Sequence, residues 1–390
     1  MDKKSINELK RRLKKDVSTI DKICGCYIND EKEKTLLFRE NFLELEDDEY
    51  FKYLDFAKKI LNTNLNNNML NINFTQESEE NGMQNLLMKI KKTALDNDDL
   101  LNIFYDKIIE KYDLPGNYII LLYHDIYDVM VKTSDNLAVD ESVETYEYVI
   151  CAICPMILNK PGLGYREDKN VIATLDKKWI VGMPQSGFLF PAFIDRSSDV
   201  HSALFYTSDS KDPHKEMIVD IMGCENLLTS DEKKGVLNEM VGEVVTAENA
   251  SEILESVNLE FAKLSSLEEN SDVVVTNEHI EDALEYAGLS NDVATSISNN
   301  YIDELKEELP NLADLVTNKA KKAVKDEDEK VMLREEIKEL NRKLVETTGQ
   351  GEDILIKVAE DKKSVIREEY INGEKCIVIP VSSEDTVKIN

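Results

Sequence analysis

The sequence predicts an α+β fold: a mostly antiparallel sheet with flanking helices, followed by an acidic helical module and a small C-terminal β-hairpin unit. Short apolar, β-branched and aromatic runs follow one another from residue 117 to residue 206, separated by Ser, Asp, Gly and Pro. The separators are too short for the crossover helices that parallel strands require. Helical spacing of apolar residues precedes and follows this stretch.

In the first 116 residues the spacing of apolar side chains switches several times between strand-like and helix-like. Two apolar runs flank the polar turn 29–32, which is typical of a hairpin with a loop longer than two residues. Four acidic residues at 46–49 favour a helix start because the helix dipole attracts negative charge there. The predicted elements are a hairpin at 18–42, a helix at 46–61, a strand at 69–74, and helices at 82–95 and 98–112, the last opened by an Asp cap.

Five strand-like runs make up the β-rich stretch: NYIILLY, TYEYVICAI, KWIVGM, FLFPAF and VHSALFY. Trp179, the only tryptophan, lies within the third run and is predicted to be a core residue. The loop 160–165 contains two glycines but lacks the spacing of a phosphate-binding loop, so we expect an ordinary turn.

Composition divides the chain into four parts. Between Asn226 and Val316 there are 21 Asp and Glu residues against four Lys and Arg, yet each helical pattern keeps an apolar stripe, which favours folding over an acidic tail. After it, Leu333, Ile337 and Leu340 follow heptad spacing in a Lys- and Glu-rich helix. The predicted parts are an α+β domain at 1–224, an acidic helical module at 225–316, a charged helix or linker at 317–348, and a β-hairpin unit at 352–390.

The C-terminal hairpin rests on a clear local signal. The dipeptide Asn372-Gly373 separates two alternating runs, which is typical of a type I′ turn, and DILIKV at 353–358 predicts a third strand.

Charge and cysteine usage narrow the class of protein. Among 390 residues, 47 Lys and Arg stand against 78 Asp and Glu, and a net charge of −31 argues against general binding to nucleic acid. No apolar run is long enough to span a membrane, and the charged N-terminal segment lacks the pattern of a secretory signal. Six cysteines in 390 residues are far sparser than in a secreted disulfide scaffold and fit reduced thiols, so we expect a cytoplasmic protein.

The strongest candidate for chemistry is a polar cluster that follows the apolar run GFLFPAFI. In an extended strand, Asp195, Asp199 and His201 would lie on one face, as candidate catalytic residues. His124 and Asp125 lie at the end of another predicted strand and could supply ligands for a divalent metal, the cofactor that this reading implies. The alternative is that Asp and Ser form connecting turns here and that an arginine pairs with one carboxylate.

Two cysteine pairs invite a zinc interpretation that their context weakens. Cys151 and Cys154 lie in a strand pattern, where residues three apart point to opposite faces. We therefore expect these thiols, with Cys24 and Cys26, to be small buried hydrophobic residues.

Several segments resemble a known family. The runs ICGCYI, GNYIILLYHDIYDV, KTSDN, YEYVICAICP, KPGLGY and GFLFPAFIDRSSDVHSALFYT are similar to a family of uncharacterised cytosolic proteins of clostridia and related Firmicutes, domain-of-unknown-function family 4317. The similarity is close over residues 1–224, looser in the acidic module, and returns in the C-terminal hairpin. It implies a bacterial intracellular protein and brings no established activity.

Three function classes remain open. The first is a non-catalytic binding or regulatory protein, for which the acidic module would favour a basic protein partner. The second is an enzyme, a metal-dependent hydrolase that uses the His and Asp residues above. The third is a nucleoid- or ribosome-associated factor, since seven of the first fifteen residues are Lys or Arg.

Overall fold

A computed structural model describes residues 1–14, 17–132, 138–160, 162–267, 273–347, 366–371 and 374–378. The chain divides into two compact units, residues 1–324 and residues 325–390. None of the described helices is long and apolar enough to cross a membrane.

The strands are β1 Ile20–Ile28, β2 Lys34–Asn41, β3 Met69–Asn73, β4 Tyr118–Lys132, β5 Ala138–Leu158, β6 Leu163–Arg166, β7 Val171–Thr174, β8 Trp179–Val181, β9 Ser186–Phe190, β10 Ala192–Ile194, β11 Ser197–Asp199, β12 Ser202–Thr207, β13 Arg367–Ile371 and β14 Glu374–Val378. The α-helices are α1 Lys3–Arg12, α2 Asp47–Ile60, α3 Gln76–Asn81, α4 Met83–Lys92, α5 Asp98–Lys111, α6 Ser230–Val244, α7 Ala247–Leu267, α8 Asn277–Tyr286, α9 Asn291–Leu305, α10 Leu312–Leu315 and α11 Asn318–Thr347. A short π-helical turn spans Met217–Ile221.

The central sheet confirms the predicted α+β class. Its strands follow the order β2-β1-β4-β5-β9-β12-β3, β8 pairs with β5, and every ladder between the described strands is antiparallel. Side chains alternate across it: Ile120 and Leu122 lie in the core that α4 and α5 cover, while Leu121 and Tyr123 lie in the core that α1 and α2 cover. Helices therefore bury both faces.

The acidic helices fold around an apolar core of their own. Residues of α6, α7, α8 and α9, such as Val241, Phe261, Leu284 and Tyr301, are buried together. Thr229 caps α6 and Thr276 caps α8, each through a hydrogen bond from a backbone N–H to its side chain. The apolar stripes predicted in this segment thus meet each other.

Some sequence predictions need correction or lie outside the described residues. Asn97, not an aspartate, caps α5, because its Oδ1 accepts a hydrogen bond from the Leu100 N–H at 3.1 Å. The predicted turn at Asn372-Gly373 and the strand at 353–358 lie outside the described residues, whereas the flanking strands β13 and β14 pair as an antiparallel hairpin.

Candidate functional site

His124 lies inside strand β4 rather than at its end. The strand continues to Lys132 because β5 pairs with it along its length, and this pairing satisfies the backbone beyond the predicted end of the strand. His124 and Asp125 therefore project from opposite faces of the sheet and cannot share one ligand. The separation is a consequence of the strand's period of two.

The fully buried imidazole of His124 sits between two carboxylates. Its Nδ1 lies 2.6 Å from Asp21 Oδ1, and its Nε2 lies 3.1 Å from Glu147 Oε1, which places Glu147 within a network that also includes the Lys91 ammonium at 2.7 Å. Because carboxylate oxygens only accept hydrogen bonds, both ring nitrogens donate at the same time only when the imidazole is protonated. In that protonated form the ring has no lone pair for a metal.

The pKa shifts of His124 and Glu147 agree with this geometry. Burial alone would lower the pKa of His124, but the hydrogen bonds and charges of Asp21 and Glu147 outweigh it and raise the pKa. Burial would raise the pKa of Glu147, and Lys91 and His124 outweigh that effect and lower it. The network holds its charges in pairs and orients β1, β4, β5 and α4 relative to one another.

Asp125 occupies a buried polar site on the other face. Its Oδ1 accepts a hydrogen bond from the Thr19 hydroxyl at 2.6 Å, and its Oδ2 accepts one from the Tyr148 hydroxyl. Burial raises the pKa of this carboxyl, against the effect of these hydrogen bonds. The Thr19 hydroxyl also accepts a hydrogen bond from Arg12 Nη2, so one residue of the basic N-terminal segment already has a partner within the chain.

The segment from Asp195 to His201 is not one extended strand. Strands β10 and β11 form a hairpin in which Asp195 and Arg196, both with positive φ, are the two central residues, as in a type I′ turn. The condition under which Asp195, Asp199 and His201 would share a face is therefore not met. Arg196 donates to Glu8 Oε2 at 2.9 Å.

Asp199 and His201 have local partners. The Asp199 carboxylate accepts hydrogen bonds from the His201 backbone N–H at 3.1 Å and from the Ser202 hydroxyl. The first of these bonds is the pattern of an Asx-turn. The His201 ring is 70% exposed, and its Nδ1 lies 2.6 Å from Glu79 Oε1, whose hydrogen bond raises the pKa of His201.

The candidate residues thus lie in three separate places. Across the described residues, no group of three His, Cys, Asp or Glu side chains is placed to hold a metal ion. Cys151 and Cys154 face opposite cores, as their spacing predicts. Burial raises the pKa of the Cys26 thiol to about 12.

A feature that the sequence interpretation missed is a ribbon of paired strands at residues 156–160 and 162–183, called the arm below. The end of β5 pairs with β8, and beyond them β6 and β7 form a separate two-stranded hairpin. At its tip the Arg166 guanidinium contacts both carboxylate oxygens of Asp168, at 3.2 and 3.1 Å, and the Tyr165 hydroxyl donates to Asn170 Oδ1 at 2.7 Å. These hydrogen bonds between side chains of the tip stabilise its conformation.

The arm exposes an unusual amount of apolar surface. Trp179, predicted as a core residue, is 50% exposed, because among the described residues its strand pairs only with the end of β5. On β6 and β7, Tyr165 and Ile172 are directly opposite each other on one face, with Leu163 beside them. The exposed apolar side chains of the arm are Ile157, Leu158, Leu163, Tyr165, Val171, Ile172, Leu175, Trp179, Ile180 and Met183.

A signal for this ribbon was present in the sequence. The polar residues 167–170 separate two runs that contain alternating apolar side chains, as residues 29–32 do in the first hairpin. The segment 160–165, expected to be an ordinary turn, instead leads into strand β6, which begins at Leu163 and contains Gly164.

The fold and this arm define the class: an α+β protein with a two-sided helical cover and an exposed apolar ribbon. Comparison with known families identifies the family of this chain. The chain belongs to the family described as Domain of unknown function (DUF4317), which matches residues 1–390. No curated protein matches the chain.

Proposed function

We propose that this protein is a non-catalytic protein-binding factor and that the arm is its contact surface. The observation that carries the proposal is the run of exposed apolar side chains along residues 156–183. Contiguous apolar surface on a folded chain is typical of a binding site, whereas single exposed apolar residues are common everywhere.

The exposed residues are of the kinds that dominate binding energy. Trp179 and Tyr165 are aromatic anchors, each about half exposed at 50% and 56%, and Ile172 beside Tyr165 is 69% exposed. Large aromatic side chains contribute most of the affinity at protein interfaces when a partner desolvates them. The arm offers these residues on an already formed backbone.

A partner that covers the arm would increase the stability of the arm's own hairpin. An isolated two-stranded ribbon is marginally stable in water because it has no core of its own. Among the residues that the structure describes, the β6–β7 hairpin is paired only within itself. A protein that covers Tyr165 and Ile172 would supply the missing core.

The charge of the arm indicates which surface it would meet. It carries five Lys and Arg against three Asp and Glu, in a protein whose net charge is −31. Among the described residues, Lys160, Lys169, Lys177 and Lys178 have no carboxylate within ion-pair distance. We therefore assign the arm a partner protein with an apolar, acidic docking surface.

A lipid surface fits the arm less well. A hairpin that inserts into a membrane would place apolar residues at its tip, but here the tip is Arg166, Glu167, Asp168 and Lys169. The apolar side chains lie along the ribbon, where a protein groove or a second ribbon can cover them.

The acidic module extends the proposal to a second, basic partner surface. Its excess of acidic residues creates a long-range field that accelerates association with basic proteins. This part of the proposal is tested separately, by the salt dependence of binding after a partner is known.

Photo-crosslinking identifies what covers the arm. A photoreactive amino acid replaces Ile172 in one variant and Leu43, an apolar residue 62% exposed outside the arm, in the control. We expect a specific protein adduct at position 172 and none at position 43. The purified partner should then bind wild type, and Ile172→Lys should weaken binding about tenfold or more.

Three outcomes would overturn the proposal. The first is adducts that form equally at both positions, or a purified partner whose affinity Ile172→Lys leaves unchanged. The second is an isolated chain that dimerises through the arm, with the dimer lost in Ile172→Lys, since the occupant is then a second copy. The third is co-flotation with anionic vesicles that depends on Ile172.

A further inference from the structure

A stretch of helix α11 exposes an apolar stripe that is not part of the arm. Every side chain from residue 329 to residue 340 is exposed, and Leu333, Ile337 and Leu340 are 56%, 57% and 59% exposed. Most of the stability of a helix in a protein comes from the packing of its apolar face. The stripe therefore indicates a covering element that the described residues do not supply.

The stripe has the spacing of a coiled-coil seam. Leu333, Ile337 and Leu340 are separated by four and three residues, which places Ile337 at an a position of a heptad between two leucines at d positions. Lys330 occupies the preceding a position, and the sequence continues the repeat with Leu344. Because a and d residues lie along one side of a helix, a second helix can cover all of them at once.

The residue types in the seam indicate how many helices come together. A β-branched residue at a with leucine at d favours a parallel coiled coil of two strands. A lysine at one a position, here Lys330, specifies register and oligomeric state, because a pair of helices lets its ammonium reach water whereas a larger bundle would bury it. The seam therefore matches one partner helix rather than two or three.

The charge of this stretch permits self-association. The whole chain has a net charge of −31, but residues 329–346 contain five Glu and five Lys or Arg. Two copies can therefore approach each other here without the repulsion that opposes contact between two acidic surfaces.

The residues that flank the seam are complementary between two parallel copies. Glu329 occupies a g position and Arg334 the e position that follows it, and these positions of opposite helices lie side by side in a parallel dimer. Among the described residues Arg334 has no carboxylate within ion-pair distance, and Glu329 lies 3.9 Å from the Lys325 ammonium. A second copy would bring a glutamate to Arg334 on each side of the seam.

We propose that the chain forms a parallel homodimer through this stretch of α11. Leu333, Ile337 and Leu340 pack against the same residues of the second copy, and Glu329 pairs with Arg334 of the second copy. The dimer uses no residue of the arm, so it does not depend on the function proposed above. It would place two arms in one assembly, which raises the apparent affinity for a partner that offers two binding sites.

Sedimentation equilibrium of the full chain measures the dissociation constant of the dimer. Ile337→Lys places a charge in the seam and should weaken dimerisation about tenfold or more. Met332→Lys is the matched control: it makes the same change in the same helix at a c position outside the seam, where Met332 is 70% exposed. It should change the dissociation constant less than about twofold. Circular dichroism checks that both variants are folded.

Charge exchange tests the register and the parallel orientation. Glu329→Arg and Arg334→Glu each place like charges side by side at two symmetric points of the dimer. Each change alone should weaken dimerisation about three- to tenfold. The double variant restores opposite charges where position 329 of one copy lies beside position 334 of the other, and its dissociation constant should stay within about twofold of wild type.

Four outcomes would overturn the proposal. The first is a monomer at every concentration, since another protein or another part of this chain then covers the stripe. The second is equal weakening by Ile337→Lys and Met332→Lys. The third is a double charge variant that dimerises no better than the single variants. The fourth is a dimer that Ile172→Lys abolishes, which would place the contact in the arm and contradict the proposed function as well.

Discussion

The central sheet and the arm use the same apolar and β-branched residues in opposite environments. Ile150 in the middle of β5 is fully buried, whereas Ile172 in β7 is 69% exposed, and both pair across an antiparallel ladder. The difference arises from what covers them: helices pack on both faces of the central sheet, whereas within the described residues the side chains of β6 and β7 stay exposed or half-buried. Strand pairing alone therefore does not create a core.

A matched pair of substitutions tests this contrast most directly. Ile150→Ala should lower the free energy of unfolding by about 2–5 kcal/mol, because it leaves a cavity among packed side chains. Ile172→Ala should change it by less than about 0.5 kcal/mol, because its side chain is already hydrated. Urea denaturation of the two variants measures both values, and equal losses would contradict the comparison.

The next largest effect is expected at Asp125. Asp125→Ala removes the acceptor for the Thr19 and Tyr148 hydroxyls, and leaving buried groups unpaired should cost about 2–4 kcal/mol. Asp125→Asn keeps one acceptor oxygen and should lose less. Chemical denaturation at neutral pH compares them; an Ala variant as stable as the Asn variant would show that these hydrogen bonds contribute little.

A smaller loss is expected when the His124 network is broken at one carboxylate. Glu147→Gln replaces a charged acceptor shared by His124 and Lys91 with a neutral amide, which should cost about 1–2 kcal/mol. Asp128→Asn, at an exposed position of β4, is the control and should change stability by less than about 0.5 kcal/mol. Thermal unfolding in low and high salt would separate the two.

The smallest effect depends on pH. The folded-state pKa of His124 is raised above 6.5, so its contribution is fully present below pH 6.5 and is lost as pH rises through the raised value. The stability advantage of wild type over His124→Gln should therefore shrink with rising pH. An NMR titration that placed the folded pKa of His124 below 6.5 would reverse this expectation.

Local patterns in the sequence anticipated much of the fold. The hairpin of β1 and β2 lies close to its predicted bounds, and the helices α6 to α9 lie in the segment whose apolar stripes predicted helices, because each element depends on neighbouring residues: a polar turn, a cap or an apolar stripe. The antiparallel sheet followed from the absence of crossover helices. Strand pairing between residues far apart in sequence was harder to predict, since nothing near His124 in the sequence shows that β4 continues past it.

The candidate site was less predictable because it depended on which side chains meet in space. Asp195 was selected for its chemistry, but its position in a two-residue turn explains its presence equally well. Trp179 was assigned to the core on hydropathy, and hydropathy does not report whether a covering element exists.

The half-exposed Trp179 has an optical consequence. Because the chain has one tryptophan, light absorbed selectively by indole excites the arm and nothing else in the molecule. The wavelength of maximum tryptophan fluorescence and its quenching by iodide thus report the arm's surroundings. Unfolding of the central sheet has to be followed by circular dichroism.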